Sequence, residues 1–146
     1  MKSVGGYLLD TCVISELIKA EPSQKVMEWI DGQDEEKLHL SVITLGEIEK
    51  GISKLAEGRK KIQLQAWLAD ELMERFSGRI FGITNEVARC WGTMLGESAK
   101  NGRSLPVVDA LIAATAIING LIVVTRNTAD MSGSGATLPD PWDLAR

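Results

Sequence analysis

Three acidic side chains stand among residues that favour burial, and carboxylates in such surroundings point to metal-ion chemistry. Asp10 ends an apolar run, Glu47 lies in the segment 44–48, and Asp109 opens the nearly apolar stretch 109–116. A carboxylate in a protein interior is costly unless it is paired, hydrogen-bonded or bound to a metal ion. Carboxylate oxygens are also the ligands that hard cations such as Mg²⁺ and Mn²⁺ take. The three acids are therefore candidate ligands of such an ion.

The segments that must position these acids alternate between strand and helix patterns. Apolar runs predict strands at residues 4–9, 38–42, 80–83 and 121–124. Apolar residues at helical spacing predict helices at 12–19, 44–57 and 61–76, with others around 26–30, 84–101 and 104–119. Such alternation favours a parallel sheet covered by helices on both faces, with the functional site outside the carboxyl ends of the strands. Asp10 has that position.

The apolar pattern near the carboxyl terminus predicts a buried helix and a buried strand. The helix that begins at residues 104–106 is apolar all round, so we expect it to be buried, with 121–124 behind it as a central strand. The uncharged stretch 110–125 is interrupted by Asn119-Gly120 and is shorter than the roughly 20 residues of a membrane span. Residues 131–141 are rich in Gly, Ser and Pro and predict an exposed connection.

Length and composition favour a single globular domain over residues 1–146, because the chain has 146 residues of which 45% are hydrophobic. The first apolar run is too short for an export signal. Cys12 and Cys90 have no CxxC spacing, and His39 is the single histidine. We therefore expect reduced thiols in a cytoplasmic protein rather than a zinc site.

The formal net charge of −4 argues against a large nucleic-acid surface that ignores sequence, because such surfaces are usually basic. A nuclease is still compatible with this charge. Carboxylates that bind a metal contribute to it, and bound divalent ions invert the local field.

Each acid also has a purely structural explanation. Thr44-x-x-Glu47 fits a capping box, in which the glutamate bonds an amide at a helix start. Asp109, three residues after Pro106, could complement a helix dipole, and Asp10 could cap the following helix. The combination is more specific than its members, since all three acids fall at strand–helix junctions on the predicted site edge.

Four ordered sequence blocks carry a resemblance to a known family. They are LLDTCVISE at 8–16, SVITLGEI at 41–48, VDALIAATA at 108–116 and VVTRN at 123–127. With these blocks the chain resembles the PIN-domain family, and within it the VapC-type toxin nucleases of type II toxin–antitoxin pairs. The resemblance implies a three-layer α/β/α sandwich with a central parallel sheet and Mg²⁺- or Mn²⁺-dependent cleavage of RNA. It also implies a small cognate antitoxin and a homodimer, for which Trp91 and Met94 are candidate contacts.

The resemblance assigns roles at the acidic site. Asp10 and Asp109 are expected to hold the principal ion and Glu47 to bind it directly or through water. Either Asn127 or Asp130 is expected to complete the shell. Two positions depart from the family pattern: Cys12 stands where asparagine is common, and Asn127 stands where many members have a fourth aspartate.

Candidate contacts to RNA and to a partner follow from the same blocks. Thr11 and Thr125 are expected to position water or phosphate. Arg103 and Arg126 flank the third and fourth blocks and are expected to meet RNA, with the cluster 59–61 guiding the strand from farther away. An antitoxin segment could lay an apolar helix against the predicted helices 12–19 and 44–57 and place a cation among the acids.

Two other functions fit parts of the pattern. A catalytically silent PIN-like binding module would use the acidic pocket only to hold a partner, and the asparagine at 127 favours it. A receiver or phosphatase domain also uses an aspartate at a strand end with Mg²⁺, but residues 10–12 lack the second nearby aspartate of those sites. Arg79 and Arg89 are expected to be ordinary surface residues.

Overall fold

A computed structural model describes residues 5–126 and 141–142 of the chain. The strands are β1 (Tyr7–Leu9), β2 (Leu38–Ser41), β3 (Ile80–Phe81) and β4 (Ile122–Val124). The helices are α1 (Thr11–Glu16), α2 (Gln24–Asp31), α3 (Val42–Ser53), α4 (Arg59–Ala66), α5 (Met73–Arg75), α6 (Asn85–Lys100) and α7 (Val107–Asn119). A 3₁₀ turn, Glu35–Lys37, precedes β2, and a π-helical segment, Trp67–Leu72, joins α4 to α5.

The strands form one parallel sheet in the order β3-β2-β1-β4. Because side chains alternate along a strand, adjacent residues of β1 face opposite layers of the molecule. Leu8 packs with the α7 side chains Ile112 and Ala116, whereas Leu9 packs with Val13 and with other residues of α1–α3 and the π segment. The predicted three-layer sandwich around a parallel sheet is confirmed.

Strand β4 lies at one end of the sheet order in the part of the chain that the structure describes, so the prediction of a central strand there is wrong for these residues. It pairs with β1 in the register Tyr7 to Ile122. Gly120 ends α7 in the left-handed conformation at φ 67°, which favours glycine, and Leu121 N–H then bonds the Ala116 carbonyl at 2.9 Å. This turn feeds the chain directly into β4.

Helix α7 is not buried on all sides. Its middle is, but Val107, Val108, Ile117 and Ile118 at its ends are 57, 39, 41 and 43% exposed. The prediction from its apolar composition is therefore wrong at both ends. The sheet side chains Leu8 and Val123 pack against the middle of α7, and α6 is its main helical neighbour, whereas the side chains at its two ends stay exposed.

The predicted helix over 61–76 is present as α4, the π segment and α5, which are continuous from residue 59 to 75. Beyond it, Arg79 is held by the turn before β2, contrary to the expectation of a surface residue. Its guanidinium donates to the Leu38 carbonyl at 2.7 Å and to Glu35 Oε2 at 3.2 Å. Glu35 also accepts two bonds from Arg75, at 2.8 and 3.0 Å. These contacts tie the 3₁₀ turn to the end of the long helix.

Among the described helices, none is both long and apolar enough to cross a membrane.

Candidate active site at the carboxyl edge of the sheet

Asp10 lies directly after β1 and is almost fully buried, with 4% of its surface exposed. It is the N-cap of α1, as one structural explanation predicted, and Oδ1 accepts a bond from Thr11 N–H at 2.8 Å. Its second oxygen has a different partner: Oδ2 accepts a bond from the Thr125 hydroxyl at 2.7 Å. Thr125 follows β4, so this bond joins the ends of two neighbouring strands.

Glu47 is not part of a capping box. The N-cap of α3 is Ser41, whose Oγ accepts from Ile43 N–H at 3.0 Å, so Thr44 lies inside the helix and the capping explanation is wrong. Instead, Glu47 Oε1 accepts a hydrogen bond from the Thr11 hydroxyl. The Thr44 hydroxyl lies 3.3 Å from that of Thr11. Thr11 thus bonds Asp10 through its amide and Glu47 through its side chain.

Asp109 lies in the first turn of α7 and is half-buried. The other end of α7 is at the amino edge of the sheet, where the Gly120 carbonyl accepts from Gly5 N–H at 3.3 Å. Helix α7 runs back along the sheet and packs against α3, so its first turn lies toward the carboxyl edge, the edge that carries Asp10. In the described residues, however, no three acidic, thiol or imidazole side chains group closely enough to hold a metal ion as they stand.

The partners of Asp10 and Glu47 are neutral. Among the described residues, no lysine, arginine or histidine lies within 4.0 Å of either carboxylate, while Thr11 and Thr125 bond them. Hydroxyl and amide donors satisfy some of the lone pairs, and no cation of the described residues pairs with either carboxylate. Oxygen donors with excess negative charge are the donor set that fits a hard divalent cation.

The Cys12 thiol lies beside this set, with Sγ 3.7 Å from Asp10 Oδ2 and 3.7 Å from Thr125 Oγ1. Burial raises the pKa of Cys12, the Arg126 N–H works against that, and the charge of Asp10 raises it further. The thiol therefore stays protonated near neutral pH and acts as a weak donor to Asp10. A soft thiolate ligand is absent from this part of the site, which again favours a hard cation.

Comparison with known proteins assigns the chain to a family. Residues 7–131 match the family model described as the PIN domain. The chain belongs to the PIN-domain family.

Relatives of this PIN domain are similar over nearly their whole length. The VapC ribonuclease Y4jK of Sinorhizobium fredii is 35% identical over 94% of this chain and 99% of its own. Toxin FitB of Neisseria gonorrhoeae is 33% identical over 92% of this chain and 97% of its own. The crystal structure of FitAcB from the same organism superposes with a TM-score of 0.89 at 33% identity, covering 94% of this chain and 99% of that one.

The arginines predicted to meet RNA lie in different places in this PIN domain. Arg126 is next to the acids: its backbone N–H donates to Cys12 Sγ at 3.5 Å, and its guanidinium carbon lies 4.8 Å from the centre of the Trp142 ring. Arg103 instead lines a groove of about 750 Å³ along α6, together with Ile117 and Ile118. Asn127 and Asp130 lie outside the described residues.

Glu16 is a buried acid to which the sequence pattern assigned no role. It is 3% exposed, and Oε2 accepts from Ser23 N–H, the N-cap residue of α2, at 2.7 Å. Oε1 lies 3.0 Å from Lys19 Nζ but makes no well-aligned hydrogen bond. Burial would raise the pKa of Glu16, but the Ser23 N–H, Lys19 and Arg126 together lower it. An acid within an otherwise apolar helix pattern was the available signal.

Proposed function

We propose that this PIN domain is a divalent-metal-dependent endoribonuclease that acts as the toxin of a toxin–antitoxin pair. The similarity to relatives named VapC ribonuclease and toxin FitB supports the activity and the role. The observation that carries the proposal is the buried Asp10 carboxylate, joined to Glu47 through Thr11 and bonded only by neutral groups among the described residues. A charge buried in this way is stabilised when a cation binds.

The residues that would hold the ion are Asp10 and Asp109, with Glu47 bound directly or through water. Asn127 or Asp130 would complete the shell. Mg²⁺ or Mn²⁺ fits these oxygen ligands, and when bound it would supply a nucleophile from water near neutral pH and charge stabilisation at phosphorus. Thr125 holds Asp10 Oδ2, and Thr11 holds both Asp10 and Glu47, so the two hydroxyls fix the directions of the carboxylates before an ion arrives.

Arg126 would bind a phosphate of the RNA beside the acids. Its guanidinium lies over Trp142, which restricts the side chain while leaving it exposed. A planar guanidinium suits bidentate contacts with phosphate oxygens. Arg103 would act farther from the acids, if the RNA strand continues along α6.

The partner is a small cognate antitoxin, as expected for a toxin, and the chain pairs with a second copy of itself. An RNA substrate and the free thiols of Cys12 and Cys90 fit the cytoplasm. Residues 1–146 act as one catalytic domain.

Cleavage of end-labelled single-stranded RNA, tRNA and rRNA fragments by antitoxin-free protein tests the proposal. The parent chain should cut with Mg²⁺ or Mn²⁺ and not with EDTA, and Asp10→Asn and Asp109→Asn should abolish cutting. Asp34→Asn, at an exposed acid without a side-chain cap bond, is the matched control and should cut like the parent. Inactivity of all proteins on all substrates would replace the ribonuclease with the silent binding module. Full metal-dependent activity in both site variants would remove the assigned ligands.

A further inference from the structure

Helix α3 carries two lysines on the side that bears Glu47. At about 100° per residue, Lys50 lies about 60° and Lys54 about 20° around the helix axis from Glu47. At a rise of about 1.5 Å per residue, they lie about 4.5 Å and about 10.5 Å farther along α3. Lys54 keeps a right-handed helical conformation at the end of the helix, so this spacing includes it. We call Lys50 and Lys54 the α3 lysine pair.

The surface beside the α3 lysine pair is open. Both lysines are exposed, and Gly51 lies on the same side of α3, about 40° around the axis from Glu47. A Cβ built on Gly51 would meet no described atom within 4 Å, so packing does not require a glycine there. Glycine inside a helix lowers its stability relative to alanine, but it lets a ligand approach the backbone closely. The position next to the two lysines is therefore accessible to a ligand.

The charges of the α3 lysine pair have no carboxylate partner in the part of the chain that the structure describes, since no ion pair within 4.0 Å includes either lysine. Glu47 stands three residues before Lys50, a spacing at which ion pairs form, but its Oε1 accepts from the Thr11 hydroxyl instead. Lys50 and Lys54 are four residues apart, and like charges at that spacing destabilise a helix. An anion bound between them would remove this repulsion.

The helix dipole explains the lysines only in part. Positive charge is favourable near the carboxyl end of a helix, and Lys50 lies in the last turn of α3. That effect does not depend on the direction in which a side chain leaves the helix. It therefore does not explain why both lysines leave on the side of Glu47, whereas the acid Glu49 lies about 200° from Glu47.

The strand order places the α3 lysine pair and Arg126 on opposite sides of the acids. Arg126 follows β4, Asp10 follows β1 and α3 follows β2, and these strands are adjacent in that order. A ligand that contacts both Arg126 and the lysines must therefore be an extended anion that crosses the acids. A single RNA strand has this chemistry, because its phosphates recur along the backbone.

We propose that Lys50 and Lys54 bind phosphates of the RNA substrate on the side of the acids opposite Arg126. The inference rests on the proposed ribonuclease function, because that function supplies the RNA. It adds two residues that contact the substrate and the direction in which the strand leaves the acids, along α3.

The first test measures binding of a labelled single-stranded RNA of about 12 nucleotides to the full antitoxin-free chain in EDTA, by fluorescence anisotropy over a range of salt concentrations. Lys50→Gln and Lys54→Gln remove one charge each and keep a similar helix propensity. Each should weaken binding by about three- to tenfold and lower the slope of log K against log salt concentration by about 0.7. Lys37→Gln is the matched control, at an exposed lysine in the turn before β2, and should bind within about twofold of the parent.

The second test measures single-turnover cleavage of the same RNA with Mg²⁺ or Mn²⁺. The RNA concentration that gives half the maximal rate should rise in Lys50→Gln and Lys54→Gln by the same factor as the loss of binding. The maximal rate should stay within about twofold of the parent, because the lysines contact the substrate and not the ion. A purely structural role would leave both the salt slope and this concentration unchanged.

Lysine variants with the affinity and salt slope of Lys37→Gln would overturn the proposal. So would a lower maximal rate at an unchanged RNA concentration dependence, because it would assign the lysines to the chemistry. Binding in EDTA is scored without cleavage. An inactive parent chain that binds RNA through the α3 lysine pair would therefore remove only the ribonuclease, and a parent chain that neither binds nor cleaves RNA would overturn both proposals.

Discussion

Two carboxylates at opposite edges of the sheet, those of Glu35 and Asp10, differ in burial and in the charge of their hydrogen-bond partners. At the amino edge of β2, Glu35 is 48% exposed and is held by the guanidinium groups of Arg75 and Arg79. At the carboxyl edge of β1, Asp10 is 4% exposed and is held among the described residues by hydroxyl, amide and thiol donors. In the part of the chain that the structure describes, the more buried acid is therefore the one that has no cation beside it.

This contrast separates a structural acid from a candidate functional one. Arg75 and then Arg79 lower the pKa of Glu35 against the opposing effect of burial, so its charge is used in holding the turn to the helix. The described partners of Asp10 orient its carboxylate by hydrogen bonds, and none of them carries a positive charge. A fold that leaves a buried charge in this state is prepared for a cation that arrives later.

The largest expected effect is on catalysis. Asp10→Asn should lower the rate of RNA cleavage by about a hundredfold or more, because a ligand of the ion is lost. Asparagine also caps helices well, so the free energy of unfolding without metal should change by less than about 1 kcal/mol. Single-turnover cleavage and urea unfolding on the same preparations measure both. Glu35→Gln is the counterpart and should keep its rate; a comparable loss of rate there would erase the contrast.

A divalent metal ion should raise the stability of the protein through the Asp10 site and not through the ion pairs of Glu35. Mg²⁺ or Mn²⁺ at a hundredfold excess over Kd should stabilise the parent by about 2.7 kcal/mol, and Asp10→Asn should lose most of this gain. Thermal unfolding with and without EDTA provides the measurement. Equal stabilisation of both proteins would mean that the ion binds away from Asp10.

Removing the guanidinium of Arg79, which pairs with Glu35, should lower the stability of the protein without changing the rate of RNA cleavage. Arg79→Ala leaves the Leu38 carbonyl and Glu35 without their guanidinium partner and should cost about 2 kcal/mol of unfolding free energy. Arg89→Ala, at an exposed arginine, should stay within about 0.5 kcal/mol of the parent. Chemical denaturation measures both free energies of unfolding. An Arg79→Ala protein as stable as Arg89→Ala would show that the contacts of Arg79 with Glu35 and the Leu38 carbonyl do not contribute to stability.

The smallest expected effect is a pH dependence of the stability that Glu35 contributes through its ion pairs. Because the pKa of Glu35 is lowered in the folded chain, its contribution is complete above the unfolded pKa of about 4.3 and is lost as pH falls through the folded value. Glu35 is partly exposed, so the contribution should be about 0.5 kcal/mol. The difference in stability between the parent and Glu35→Gln should therefore shrink as the pH is lowered from neutral to well below the unfolded pKa. A difference that is constant over this range would deny the ion pair any share in stability.

Much of the fold could be predicted because the strands and helices follow from the spacing of apolar residues that are close together in the sequence. Apolar runs located each described strand and helical spacing located each described α-helix, and the alternation of the two predicted the parallel sheet. The strand β1 and the start of α1 also fix Asp10 at a strand end, since that position depends only on neighbouring residues. Predictions about burial failed where they needed to know the neighbours, as at Val107 and Ile118 on α7.

The candidate site likewise has features that could be predicted from the sequence and features that depend on the tertiary structure. The sequence by itself determined that Asp10 stands at a strand–helix junction and that the type of the three acids suits a hard cation. The same junction prediction is wrong for Glu47, which lies inside α3, and for Asp109, whose helix follows α6. The tertiary structure decided that Thr11 joins Asp10 to Glu47, that Thr125 reaches back across 115 residues to Asp10, and that Arg79 pairs with Glu35 across 44. The physical reason is that the spacing of side chains along a strand or helix is set by local backbone geometry. Partners far apart in the chain meet only when the order of the strands brings them to one edge.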